Sequence, residues 1–204
     1  MLNDMIRRAL ISVYDKSDLE ILIDALRRLN VEIVASSGTA RRIRELGYEN
    51  VVEVSAYTGQ PESPRGLLKT LHPRIHGGIL LDPDNPEEEA YMARYGIESF
   101  NLVVVNLYPF EEAASRSLEA HEAAEFIDIG GPAMIRAAAK ASMLRDDIAV
   151  VVDPAQYGEV AEALKKWGGI PDDLRRRLTL EAFKRTARYD EVIVSYLEAL
   201  GWGR

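Results

Sequence analysis

Residues 102–107 read Leu-Val-Val-Val-Asn-Leu and are followed by Tyr108 and Pro109. A short continuous run of Val and Leu that ends at a rigid turn is typical of a strand buried on both faces of a sheet. Similar apolar runs predict further strands at 9–14, 31–36, 51–54 and 148–152. Because helical patterns separate these runs, the chain is predicted to be an α/β protein with a mostly parallel central sheet.

The segments between and after these strands carry helix signals. The dipeptide Ser17-Asp18 can cap a first helix, in which the apolar residues form one stripe: Leu19, Leu22, Ile23 and Leu26. A second helix is expected over 39–47, where Gly47 suits the helix end, and an Ala-rich helix over 132–140, opened by Pro132. From residue 154 onward the pattern is helical, with a break near 168–171.

The stretch 55–78 is predicted to be a long irregular loop, because it is rich in Pro and Gly. Such a loop is uncommon in a compact domain and is often functional. His72 and His76 lie in it at the spacing of a helical metal pair. Pro73 and the Gly77–Gly78 pair disfavour a helix there, and no convincing third ligand is evident, so no metal site is predicted.

Composition narrows the class of protein. The 204 residues carry 33 acidic and 25 basic side chains, a formal net charge of −8, and no cysteine. Without cysteine there is no disulfide, thiol nucleophile or cysteine-ligated metal. The negative charge and the scattered basic residues argue against nucleic acid as a partner. Because no signal-like leader or bilayer-spanning run is present, we expect a cytoplasmic protein without a membrane partner. The length predicts one domain over 1–204.

Polar segments follow several predicted strands, and open α/β sheets bind ligands at the carboxyl ends of their strands. Ser36-Ser37-Gly38-Thr39 joins a strand to a helix, where hydroxyls and free N–H groups suit a phosphate or carboxylate, although an ordinary N-cap turn is the alternative. Lys16 can add positive charge to that site or be a solvated turn residue. Asn106 and Tyr108 offer a surface of purine size, or Tyr108 closes the core with Phe110.

Two lysines lie in segments that can carry chemistry. Lys69-Thr70 combines an ammonium group with a hydroxyl, which can grip an anion or stabilise developing negative charge. Asp128 lies before Gly130-Gly131-Pro132, and Lys140 follows in the next helix. The acid and this second lysine can converge across the helix and its entry loop. Alternatively, the glycines only shape the turn, and Arg136 and Lys140 are surface charges one turn apart.

Taken in order along nearly the whole chain, these segments resemble the inosine monophosphate (IMP) cyclohydrolase domain, the amino-terminal half of a bifunctional purine-biosynthesis enzyme. Any one motif is weak evidence, but many in register are strong. The matching motifs are Ala9-Leu-Ile-Ser-Val-Tyr-Asp-Lys16, Ser36-Ser-Gly-Thr39, Ser55-Ala-Tyr-Thr-Gly59, Lys69-Thr-Leu-His-Pro73, His76-Gly-Gly-Ile-Leu80, Asn106-Leu-Tyr-Pro-Phe110, Ile127-Asp-Ile-Gly-Gly-Pro132, Arg136-Ala-Ala-Ala-Lys140 and Thr186-Ala-Arg-Tyr-Asp190.

The resemblance implies a methylglyoxal-synthase-like three-layer α/β fold with a helical C-terminal segment, and a homodimer. It implies closure of formyl-AICAR (FAICAR), a formamido-imidazole carboxamide ribotide, to IMP with loss of water in the last step of purine biosynthesis. This reaction requires no redox or metal cofactor, so no cofactor is expected. A formyl-transferring half is not found among the 204 residues, so a separate AICAR formyltransferase is expected to supply the substrate.

The family's functional residues carry over onto matching positions of this chain. By resemblance, Lys140 donates and accepts protons together with Asp128, and Lys69 stabilises the formyl oxygen. Tyr108 and Asn106 position the base. The ribose phosphate is expected to be held by Ser12, Lys16, Ser36, Gly38, Thr39 and Thr70. Further substrate contacts are expected from Tyr14, Asp15, Ser37, Arg65, Leu67, Leu68, Val105, Ile129 and Gly130.

Some positions depart from the family pattern. Leu67 stands where family members usually have arginine, and we hypothesise that Arg65 compensates, so that Arg65→Ala weakens nucleotide binding. Ser37 replaces a glycine, and Tyr14 replaces a small residue near the phosphate. Ala141 stands where an asparagine normally follows the catalytic lysine. These differences bear on how the substrate is gripped.

A different class of function is the alternative: a module of the same fold that binds a purine monophosphate without turning it over. The departures at Leu67 and Ala141 favour the module, whereas joint retention of Asp128, Lys140 and the other catalytic candidates favours the enzyme. A true methylglyoxal synthase shares the fold but requires catalytic carboxylates in the loop that here contains Lys69, and it ranks below both.

Overall fold

A parallel sheet forms the centre of the protein. The computed structural model describes residues 5–116 and 118–203, and the side chains of Arg65 and Ala113 lie outside the described part, as does the predicted contact of Arg65. The strands are β1 (Arg8–Val13), β2 (Glu32–Ala35), β3 (Val51–Glu53), β4 (Leu102–Asn106) and β5 (Ala149–Val151). They pair in parallel in the order β3-β2-β1-β4-β5, so the five predicted strands and the parallel sheet are confirmed.

Helices cover both faces of this sheet. They are α1 (Leu19–Arg28), α2 (Ser37–Glu45), α3 (Val54–Thr58), α4 (Pro73–Leu80), α5 (Pro86–Tyr95), α6 (Phe110–Ala114), α7 (Ala120–Ala124), α8 (Gly130–Leu144), α9 (Tyr157–Trp167) and α10 (Asp172–Ala199). Short 3-10 helices lie at Pro64–Gly66 and Pro154–Gln156. Within the described residues, no helix combines the length and the apolar character that crossing a bilayer requires.

Two apolar clusters, one on each face of the sheet, make the fold three-layered. Ile11 of β1 packs in the cluster that includes α1 and α9, and its neighbour Leu10 packs in the cluster that includes α4 and α8. The alternation follows because successive side chains of a strand point to opposite faces. Val103 and Val104 of β4 divide in the same way. The continuous apolar runs of the sequence are therefore explained by burial on both sides, and the three-layer prediction is confirmed.

The first helix has the predicted buried stripe, but its predicted cap is wrong. Asp18 precedes α1 with φ 57°, in the left-handed region, and its side chain makes no cap hydrogen bond. The carboxylate of Asp15 instead accepts hydrogen bonds from the N–H of Ser17 at 2.9 Å and from its hydroxyl at 2.6 Å. The polar dipeptide is therefore used to tighten the turn after β1 rather than to cap the helix.

The stretch 55–78 is not an irregular loop throughout, which corrects the sequence prediction. Pro73 is the first residue of α4, where no N–H donor is needed, and His72 caps that helix by accepting the N–H of Arg74 at 3.1 Å. Gly78 allows close packing, because a Cβ there would collide with the carbonyl oxygen of Glu98. The residues that disfavoured a helix in sequence terms are thus the ones that let α4 begin and pack.

The helix after Asp128 is longer than predicted. α8 begins at Gly130, two residues before Pro132, and continues to Leu144. The C-terminal part is helical as expected, with the predicted break between α9 and α10. α10 spans 28 residues and packs against α8, β5 and α6. This long helix therefore lies behind the segment that carries Asp128.

Candidate active site

The site lies where the chain reverses its path across the sheet. From β1 the chain moves outward through β2 to β3, and it then returns to place β4 on the other side of β1. The carboxyl ends of β1 and β4 flank this switch point, which is where open α/β sheets bind ligands. A cavity of about 520 Å³ opens there. Its volume lies within the range of small-molecule sites.

The cavity gathers a large share of the predicted site residues. Ser12 and Tyr14 come from the end of β1, Asn106 and Tyr108 from the end of β4, and Asp128 from the turn before α8. Other predicted residues that line it are Leu67, Lys69, Thr70, Val105, Ile129 and Gly130. Of the other predicted contacts whose side chains the structure describes, Asp15, Lys16, Leu68 and the Ser36–Thr39 turn lie outside this lining.

Asn106 forms the floor of the cavity by fixing the turn after β1. Its amide oxygen accepts the N–H of Tyr14 at 2.7 Å and the N–H of Asp15 at 3.0 Å. Its amide nitrogen donates to the carbonyl of Asp15 at 2.8 Å. The side chain of Asn106 is thus engaged with the backbone, and its main role in this structure is to hold the turn that presents Tyr14.

One wall of the cavity is aromatic. The rings of Tyr14 and Tyr108 meet edge to face with centroids 4.5 Å apart, and the ring of Phe126 lies 5.7 Å from that of Tyr108. Such arrangements are favourable because the edge of one ring is positive and the face of the other negative. Phe110 is buried in the core and packs on α10 instead, so the alternative pairing of Tyr108 with Phe110 in the core is wrong.

Asp128 provides a carboxylate beside this wall. One of its oxygens accepts the N–H of Gly131 at 2.9 Å, at the start of α8. Burial raises the pKa of the Asp128 carboxyl above its ordinary value, partly opposed by the N–H groups of Gly131 and Gly130. A Cβ at Gly131 would collide with this carboxylate, so glycine is required for the carboxylate to lie so close to the helix. A carboxyl with a raised pKa is suited to proton transfer.

Lys69 also lines the cavity and is paired with Glu62, a carboxylate that no motif of the sequence singles out. Its ammonium nitrogen lies 2.7 Å from Glu62, and the same carboxylate accepts the hydroxyl of Ser37 at 2.6 Å. The hydrogen bond from Lys69, followed by that from Ser37, lowers the pKa of Glu62. Glu62 therefore connects Lys69 to the first residue of α2.

The Ser36–Thr39 turn adjoins the cavity at the N-terminus of α2. The hydroxyl of Thr39 accepts the N–H of Val13 at 3.2 Å, and Ser36 lies 3.0 Å from it, hydroxyl to hydroxyl. These bonds join the turn to the end of β1. Gly38 is exposed, and nothing lies within 4 Å of the position of a Cβ there. Lys16 points back to the carbonyl of Tyr14 at 3.1 Å.

Lys140 is not brought to the cavity, unlike the other three catalytic candidates. It lies ten residues after Gly130 on α8, about 15 Å along the helix at 1.5 Å per residue. Its side chain is exposed and is not among the residues that line the cavity. Asp128 and Lys140 of one chain therefore do not converge, contrary to the sequence expectation. Arg136, Met143 and Leu144 lie on the same exposed face of the helix.

The histidines of α4 do not form a metal site in this structure. His72 is used as the cap of α4, and burial lowers the pKa of His76, which contacts the backbone of Thr70. In the described ranges 5–116 and 118–203, no group of three or more His, Cys, Asp or Glu side chains is arranged to hold a metal ion.

A second cavity, of about 540 Å³, lies at the amino ends of the strands. Two charged groups of its lining are paired with each other, because Arg8 contacts Glu32 at 2.6 Å, and Arg8 also contacts Glu98 at 2.8 Å. The side chain of Asn101 accepts the backbone N–H groups of Arg7 and Arg8. These contacts are structural, so the cavity at the carboxyl ends is the better candidate for chemistry.

The sheet order and the cavity at its switch point define a parallel α/β domain with a cavity of small-molecule size at the carboxyl ends of its strands. The chain belongs to the MGS-like domain family, whose family model matches residues 18–133. The model of the AICARFT/IMPCHase bienzyme matches residues 138–202. The family predicted from the motifs is therefore confirmed.

The relatives of this chain include bifunctional purine biosynthesis proteins named PurH. The one from Persephonella marina is 47% identical over 191 residues, which are 94% of this chain and 36% of that protein. The one from Bacillus subtilis is 45% identical over 193 residues, 94% of this chain and 37% of that protein. This chain thus spans little more than a third of the length of these relatives. The crystal structure of ForH, 31% identical, has a TM-score of 0.78, with 94% of this chain and 98% of that one covered.

Proposed function

We propose that this chain is an IMP cyclohydrolase, a cytoplasmic enzyme that closes formyl-AICAR to IMP with loss of water. The observation that carries the proposal is the presence of Asp128, Tyr108 and Lys69 around one cavity at the switch point of the sheet. Similarity to the AICARFT/IMPCHase bienzyme over residues 138–202 and to proteins named PurH supports the same reaction. An AICAR formyltransferase supplies the substrate, and residues 1–204 act as one cyclohydrolase unit.

The chemistry requires a base, a cation and close positioning. The carboxamide nitrogen attacks the formyl carbon, a C–N bond forms, and negative charge develops on the formyl oxygen. Asp128 accepts the proton of the attacking nitrogen, for which its raised pKa suits it. Lys69 stabilises the oxygen, which takes up this proton and the one lost by the formamide nitrogen and leaves as water as the C=N double bond of the ring forms. The rings of Tyr108 and Tyr14, which form the aromatic wall, hold the heterocycle of the substrate and so bring the two reacting groups together.

The phosphate of the nucleotide is proposed to bind at the start of α2. Ser36, Ser37 and Gly38 lie at the positive end of that helix, which favours an anion. Ser12 and Thr70 line the cavity between this turn and Asp128, so they are placed to contact the sugar and the phosphate. Glu62 now occupies the space between Ser37 and Lys69, and a bound phosphate must displace its carboxylate.

Lys140 acts in this proposal through a homodimer. Because it lies outside the cavity of its own chain, it takes part in the reaction only as Lys140 of the partner subunit. Two apolar neighbours on the same helix face support an interface, since Met143 and Leu144 are 70% and 71% exposed. At the cavity mouth, Leu67 and Ile129 are similarly exposed. A two-fold dimer that joins these faces gives each site a second lysine.

A mixing experiment tests this arrangement. Asp128→Asn and Lys140→Ala are prepared separately, each is expected to be inactive, and the two are mixed so that subunits exchange. If Lys140 acts across the interface, half of the dimers contain one intact site, and activity recovers to about a quarter of the wild-type value. Mixed dimers that form without any recovery would show that Lys140 does not serve the partner's site.

The second candidate function is a module that binds a purine monophosphate without turnover. The position of Lys140, away from Asp128, favours it, because one chain then offers fewer groups for proton transfer. An ultraviolet absorbance assay of the purified protein with formyl-AICAR, without folate, distinguishes the enzyme from the binding module. The enzyme forms IMP, and Lys69→Met reduces its rate about 10²- to 10³-fold, whereas Lys184→Met, which removes an exposed lysine of α10, leaves it unchanged. Binding of IMP by calorimetry without any turnover selects the module.

A further inference from the structure

A tyrosine of the C-terminal helix contacts the segment that carries Asp128. Tyr189 lies on α10 and is 5% exposed. Its hydroxyl accepts the backbone N–H of Asp128 at 2.8 Å, and it lies 3.5 Å from the carbonyl of Phe126, to which it donates. One phenol therefore joins both ends of the short segment 126–128. Tyr189 does not line the cavity.

The segment held by Tyr189 supports two sides of the candidate site. The ring of Phe126 lies 5.7 Å from the ring of Tyr108, on the aromatic wall. Asp128, at the other end, directs its carboxylate to the N–H of Gly131. Residue 127 of the same segment also lines the cavity. A shift of this segment would move the carboxylate and the aromatic support together.

We propose that Tyr189 is a positioning residue for the ring closure, acting through the backbone of 126–128 and not through contact with the substrate. The inference rests on the proposed function, because it assigns Asp128 a role in proton transfer. The N–H of Asp128 and the carbonyl of Phe126 belong to a segment outside regular secondary structure, whose backbone groups have no neighbouring rung of a helix or sheet to pair with. The phenol pairs with both and fixes the distance between Asp128 and Tyr108.

The same helix offers a matched control. Tyr196 also donates a hydrogen bond from its hydroxyl to a backbone carbonyl, that of Leu118, at 2.5 Å. Both tyrosine rings pack against Phe110, with centroids 6.5 Å away for Tyr189 and 5.5 Å for Tyr196. Tyr189→Phe and Tyr196→Phe therefore remove the same group from the same helix and keep the same ring packing. Only the first removes a contact with Asp128.

The experiment compares the two variants with the wild type. We expect Tyr189→Phe to lower kcat about 10- to 100-fold with little change in KM, because a small misplacement of a reacting group is costly. Its acidic pH limb should move to lower pH, since a loosened segment exposes Asp128 to water and relieves the burial that raises the pKa. Tyr196→Phe should keep the kcat and the pH profile of the wild type.

Hydrogen exchange gives a readout that does not depend on turnover. The amide of Asp128 should exchange at least about tenfold faster in Tyr189→Phe than in Tyr196→Phe, because only the former loses its acceptor. Equal exchange rates, or equal kcat and pH profiles in the two variants, would overturn the positioning role. If the wild type itself does not convert formyl-AICAR, the proposed function fails. The exchange rates then decide separately whether Tyr189 holds this segment.

Discussion

The ammonium nitrogen of Lys69 lies 2.7 Å from the carboxylate of Glu62, and this carboxylate also accepts the hydroxyl of Ser37. The carboxylate of Glu62 therefore links the N-terminus of α2, which favours an anion, to Lys69, which is proposed to stabilise the developing oxyanion. Because the phosphate that we propose to bind here carries the same sign of charge, it would compete with Glu62 for these donors. Since Lys69 and Ser37 are already paired with Glu62, binding of an anion at these two donors must exchange one anion for another.

Glu62→Gln is expected to tighten binding of IMP about 2- to 5-fold, because the displaced side chain no longer carries charge and a partly exposed ion pair contributes little free energy. Calorimetric titration with IMP measures the change. Glu53→Gln is the control, since Glu53 pairs with Arg44 at 3.1 Å with similar exposure and lies away from the cavity. Equal affinities in both variants would contradict competition between Glu62 and the phosphate.

Asp128→Asn is expected to stabilise the fold while reducing the rate about 10²- to 10⁴-fold. Burial raises the pKa of Asp128, so the native state favours the neutral acid. The stability that this group contributes is present below its unfolded pKa and decreases as pH rises through the folded pKa. Asparagine keeps the oxygen that accepts the N–H of Gly131 and removes the charge.

The gain in unfolding free energy for Asp128→Asn should be about 0.5–2 kcal/mol at pH 7 and should vanish at acidic pH. Urea unfolding at several pH values measures it. Asp24→Asn on α1 is the control, because Asp24 is an exposed acid that pairs with Arg27. A gain that persists at low pH would mean that the charge of Asp128 is not its cause.

Leu67→Arg is expected to lower the KM for the nucleotide about tenfold, the effect of one hydrogen bond to a charged group. Leu67 lines the cavity mouth and is 58% exposed, so a guanidinium there can reach the phosphate without being buried. Leu68→Arg is the matched control, because Leu68 is 52% exposed and lies outside the lining. A similar change in both variants would indicate only a general effect of positive charge.

Gly78→Ala is expected to destabilise the protein by about 1–3 kcal/mol, because its Cβ would collide with backbone at Glu98 and the interior cannot relax freely. Gly158→Ala on α9 should instead stabilise by about 0.4–1 kcal/mol, since nothing lies within 4 Å of its Cβ position. Chemical denaturation of both variants tests the pair. Loss of stability in both would imply that helix propensity does not govern Gly158.

The sheet could be predicted because its strands are continuous apolar runs, which burial on both faces requires. The N-terminus of α4 could not, because Pro73 reads as a helix breaker until the helix is known to begin there. The pairing of Glu62 with Lys69 depends on how the segment 59–72 folds back, which no local pattern records. The separation of Asp128 from Lys140 could be predicted from helix geometry, since α8 is regular helix from Gly130 to Lys140.

The amide of Asn106 continues the hydrogen-bonding ladder between β1 and β4 one step beyond the last paired residues. The turn at the bottom of the cavity is therefore held by hydrogen bonds on both sides of the Asn106 amide. Adjustment to a ligand is left to the sides, one formed by the segment that carries Lys69 and the other by the segment that Tyr189 holds. Among the described residues the two sides share no backbone hydrogen bond, and they touch where the hydroxyl of Thr70 lies against Gly130. The turn held by Asn106 thus fixes the position of a ligand, and the segments that carry Lys69 and Asp128 are the parts that adjust to it.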